Sequence, residues 1–86
     1  MDSMLKYLDY QKYLYDLINY KKSELAFYSY RYIGRKIGLD PGFFAKITHG
    51  KKHLPEYYIE ALGSLFGWSN KEKNYFSLML KYGKAN

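Results

Sequence analysis

Between positions 29 and 55, six cations (Arg31, Arg35, Lys36, Lys46, Lys51 and Lys52) stand against a single acid, Asp40. This stretch carries +5 of the chain's net +6, so the rest is close to neutral. Positive charge concentrated on one segment suits a partner with regularly spaced anions, above all the phosphate backbone of a nucleic acid. The competing reading is that Lys and Arg only keep a small aromatic-rich domain soluble. That explains the scattered lysines elsewhere better than it explains this cluster. His49 and His53, four apart, have a spacing that can place two metal ligands on one helix face. Gly50 interrupts that face, so no metal is expected and the rings are read as exposed or phosphate-facing. No nucleophile–base pair, carboxylate pair or Gly-rich phosphate loop stands out, so neither catalysis nor a cofactor is expected. The absence of cysteine excludes disulfides and thiolate sites.

A charge cluster of this kind needs rigid elements to display it, and the periodicity is helical throughout. Asp9 is placed to cap a first helix, whose Tyr10, Tyr13, Leu14, Leu17 and Ile18 share one face and whose end carries Lys21 and Lys22. After a joint over 23–28, Ser29 caps a second helix with Tyr30, Ile33 and Ile37 inward and Arg31, Arg35 and Lys36 outward. Gly38 ends it, and Asp40-Pro41 supplies the cap and first residue of a third helix, with Phe44 and Ile47 inward and a stop at Gly50. Leu54-Pro55 is read as opening a fourth helix, with Ile59, Leu62, Leu65 and Phe66 buried and Gly67 closing it. Ser69 and Glu72 form a capping box for a fifth. The expected fold is all-α, a five-helix bundle forming one domain over 1–86. It is near the lower size limit for a single core and depends on aromatics that make up 21% of the chain, mostly tyrosine. No segment approaches the ~20 apolar residues of a membrane span, and the N-terminus lacks an apolar signal core, so a cytoplasmic location is expected.

Gly34, Gly38, Leu39, Phe44 and Ile47 keep the register of a helix-turn-helix, with its core at about 29–50. Followed by Gly50-Lys51-Lys52-His53-Leu54-Pro55, this set resembles the Cro/CI-like (XRE-type, lambda-repressor-like) domains. The resemblance implies a bacterial transcriptional regulator, with the second helix crossing the backbone of double-stranded DNA and the third in the major groove. Carried over by position, the groove-facing residues are Asp40, Pro41, Gly42, Ala45, Lys46 and His49, with Lys46 and His49 the candidates for base contact. Arg31, Arg35, Thr48, Lys51 and Lys52 are the candidates for phosphate. Pro41 and Gly42 stand where that family commonly has polar residues, so this helix is poor in base-reading groups. The chain also resembles the amino-terminal domain of a family of longer bacterial proteins regarded as regulators, through Asp9-Tyr10, Tyr13-Leu14, Ser29-Tyr30-Arg31, Gly50-Lys51-Lys52, Glu72 and Tyr75-Phe76. That implies one piece of a larger regulator.

On the fifth helix Tyr75, Leu78, Met79 and Tyr82 form a stripe expected to pack on the domain. Phe76 and Leu80 form a second stripe, which either reaches the first helix or is exposed for a homodimer partner or a downstream domain. The alternative function is therefore a protein-interaction module, docking through Phe43 and the Phe76/Leu80 strip. Phe43 discriminates: an exposed ring beside the third helix favours a protein partner, and a buried one favours DNA.

Overall fold

The structure, a computed structural model, describes residues 1–85. Its helices are α1 (Tyr10–Glu24), α2 (Tyr30–Ile37), α3 (Pro41–Thr48), α4 (Ile59–Phe66) and α5 (Asn70–Ala85), with 3-10 turns at Met4–Lys6 and Glu56–Tyr58 and no strand among the described residues. No helix among them is long and apolar enough to cross a membrane. The helix starts follow local chemistry. Asp9 accepts from the Gln11 amide at 2.9 Å, Ser29 from Tyr32 at 3.1 Å and Asp40 from Phe43 at 2.9 Å. Ser69 and Glu72 bond reciprocally, at 2.8 and 3.1 Å, as a capping box does.

The fourth helix departs from expectation. Pro55 takes an extended conformation (ψ 137°), precedes a 3-10 turn, and α4 begins only at Ile59. The residues between Gly50 and Pro55 form a loop bonded to α1 at the Lys52 carbonyl and the Leu54 amide, as described below.

The α2–α3 joint is a tight one, three residues long. Gly38 is left-handed (φ 79°), and the amides of Gly38 and Leu39 both donate to the Gly34 carbonyl at 2.8 Å. Gly34 lies so close to the next segment that a Cβ there would meet the Leu39 carbonyl oxygen at 2.5 Å and Pro41 Cγ at 3.3 Å. Gly34→Ala is therefore expected to destabilise by about 1–3 kcal/mol, although Ala is intrinsically the better helix former. A urea midpoint at or above that of wild type would show that the two helices do not approach this closely.

Tyr10, Phe44 and Phe76 are the largest fully buried side chains, packed among Leu14, Ile18, Ile33, Ile47, Leu62 and Leu80. Phe76 sits 4.8 Å from Trp68 and edge-on to Tyr10 at 5.7 Å. An N-terminal strap closes over α1 and α5. The Tyr7 hydroxyl donates to Asp16 at 2.6 Å, and the Tyr75 hydroxyl donates to the Tyr7 carbonyl. The bond to Asp16 pushes the Tyr7 phenol up to about 12 and holds the Asp16 carboxyl below its usual range.

This packing decides between the two alternatives for the second stripe of the fifth helix, which reaches the first helix, and corrects part of the first stripe. Phe76 and Leu80 are fully buried, so they form no docking strip. Phe76 fills the space between Tyr10, Tyr13 and Trp68, and that sets the rotation of α5. Leu78 and Tyr82, expected to pack inward, are 65% and 66% exposed and border a shallow apolar groove with Leu8 and Tyr75.

Candidate nucleic-acid interface

α3 buries Phe44, Ile47 and Thr48, which turns Gly42, Lys46 and His49 outward along one exposed stripe. Two exposed arginines flank its N-terminal end. Arg31 and Arg35 of α2 border a groove of about 460 Å³ whose other wall is the turn Gly38–Pro41. Lys36 lies elsewhere on α2, with its ammonium 5.6 Å from the centre of the Tyr32 ring. The helix thus sorts its three cations into an Arg pair beside α3 and a lysine held by an aromatic face.

At the other end of the stripe, Gly50 is left-handed (φ 81°), and the Lys51 amide closes α3 by donating to the Lys46 carbonyl at 2.8 Å. The loop is then fastened to α1. Gln11 Nε2 donates to the Lys52 carbonyl at 2.8 Å, and the buried Leu54 amide donates to the Tyr10 hydroxyl at 3.0 Å. That hydroxyl also lies 2.8 Å from His53 Nδ1. The Lys51 and Lys52 side chains remain exposed. The histidines separate: His53 pairs with Tyr10, while His49 sits edge-on to Tyr15 at 5.5 Å and 6.5 Å from Tyr30.

Two expected site residues read differently in place. Thr48 is not on the surface. It is 5% exposed, its hydroxyl donates to the Ala45 carbonyl at 3.0 Å and pairs with the Tyr30 hydroxyl at 2.7 Å, so it is withdrawn as a phosphate contact. It shares the buried face with Phe44 and Ile47, and its hydroxyl satisfies the interior. Phe43 is half-buried and packs against the core. It is neither exposed beside α3 nor buried with Phe44, so it favours neither the protein-docking nor the DNA reading.

The charge balance is one-sided. The ion pairs among the described residues are Lys12–Asp16 (3.1 Å), Lys73–Glu60 (3.2 Å) and Lys81–Glu56 (3.6 Å), and none takes up Arg31, Arg35, Lys46, Lys51 or Lys52. Sequence reasoning placed these five cations but missed Tyr10 and Gln11. Tyr10 carried one general signal: a phenol on a core-facing stripe must find a partner for its hydroxyl. Gln11 carried none, because its partner is 41 residues away.

Compared with protein-family models, curated proteins and solved structures, the chain finds no match.

Proposed function

We propose that this domain binds double-stranded DNA without catalysis, as the DNA-reading part of a bacterial transcriptional regulator built on a Cro/CI-like helix-turn-helix. In this reading α3 enters the major groove, and Arg31, Arg35, Lys51 and Lys52 bond to phosphates at its two ends. Lys46 and His49 supply what base contact there is. The observation that carries it is the set of five exposed cations, unpaired among the described residues, arranged around the outward stripe of α3. Cations that only kept the domain soluble would be dispersed, as Lys6, Lys12, Lys21, Lys22, Lys71, Lys73, Lys81 and Lys84 are along the rest of the sequence. The Gly34 close approach adds support, since a tight α2–α3 joint is what lets two short helices act as one rigid reading unit. The protein-docking alternative loses the Phe76/Leu80 strip, both side chains being buried, and keeps the half-buried Phe43.

The test is a titration against a mixed-sequence duplex of about 20–30 bp at low salt, repeated as salt rises. Affinity should fall linearly in log–log form, with a slope of about −0.9 for each phosphate engaged. A folded sample that does not bind at low salt would overturn the proposal.

A further inference from the structure

We infer that Gln11 and Tyr10, on the first turn of α1, are positioning residues for the phosphate contacts of Lys51 and Lys52; this rests on the DNA-binding reading above. The loop that carries the two lysines has no regular structure between Gly50 and Pro55. Its own side of the chain ties it only at Lys51, through the amide that closes α3. The following three residues are held from α1, by the Gln11 bond to the Lys52 carbonyl, the Tyr10–His53 pair and the Leu54 amide on the Tyr10 hydroxyl. These links span 41, 43 and 44 residues, so no local preference substitutes for them. The Tyr10 hydroxyl accepts from Leu54 and has one proton to give, which satisfies the group when His53 Nδ1 is its acceptor.

A lysine head stays mobile in water, but its backbone can be set beforehand, and a preset loop spares the ordering cost at the moment of binding. The two α1 residues divide this work. Tyr10 is in the core, and its loss affects the whole fold. Gln11 makes an exposed bond, worth little to global stability, at the carbonyl of one of the two lysines. Its removal should therefore register in DNA affinity and loop protection, and not in unfolding.

The experiment is a double-mutant cycle on the whole domain, using the mixed-sequence duplex at one low salt concentration. The proteins are wild type, Gln11→Ala, Lys51→Ala with Lys52→Ala, and all three changes combined. Gln11→Ala should melt with wild type, show faster amide exchange over residues 52–54, and bind about three- to tenfold more weakly. It should cost nothing further once the two lysines are gone. Gln11→Met, of the same length but without a donor, should behave as Gln11→Ala does. An unchanged affinity, or an equal loss with and without the lysines, overturns the inference while leaving the DNA-binding reading intact. Failure of the wild type to bind overturns both.

Discussion

Phe44→Ala is expected to remove about 3–5 kcal/mol of stability, because it deletes a large ring from the point where α3 is anchored. The ring is fully buried and meets Tyr30 edge-on at 5.7 Å, so its loss opens a cavity between α2 and α3. The same Tyr30 bonds to Thr48, so the disturbance reaches the polar pair that closes the C-terminal end of α3. A domain of this size has a total stability of roughly 4–13 kcal/mol, so between about a quarter and all of it would be lost. Circular dichroism during denaturant titration measures this directly. A loss under about 1 kcal/mol would show that the ring is not part of the core that supports α3.

Replacing Lys51 and Lys52 together with Ala is expected to weaken duplex binding on the order of tenfold at low salt, and to lower the salt slope by about 2. The loss should be about the same for every sequence tested, since phosphate contacts carry no base information. The side chains are exposed, and no ion pair among the described residues involves them, so the melting temperature should not change. An unaltered affinity and slope would exclude the loop from the interface. A loss confined to particular sequences would make one of the lysines a base contact instead.

The two effects sit at opposite ends of what could be seen in the chain itself. Phe44 stood at a core position of a recognisable register, and the structure buries it. Thr48 stood at a position that a family pattern assigns to phosphate. Here the rotation of α3 places it among Phe44 and Ile47, where its hydroxyl serves Tyr30. The fifth helix was legible only in part, for a related reason. Periodicity shows that a helix has two apolar stripes, but which stripe faces inward depends on the shape of the space it fills. Trp68, Tyr10 and Tyr13 leave a space that takes Phe76. Leu78 and Tyr82 are left outside it.

What the sequence determined by itself are the properties that act over a few residues. Helix caps at Asp9, Ser29, Asp40 and Ser69, stops at Gly38, Gly50 and Gly67, and the charge cluster over 29–55 all depend on neighbours within about one turn of helix. Only the tertiary structure decided the rotation of α5, the burial of Thr48 and the fastening of the basic loop to α1. Each depends on groups brought together from distant parts of the chain, as Gln11 and Lys52 are across 41 residues. Packing and hydrogen-bond satisfaction between such groups are settled by the shape of the whole core, and no local spacing encodes that shape.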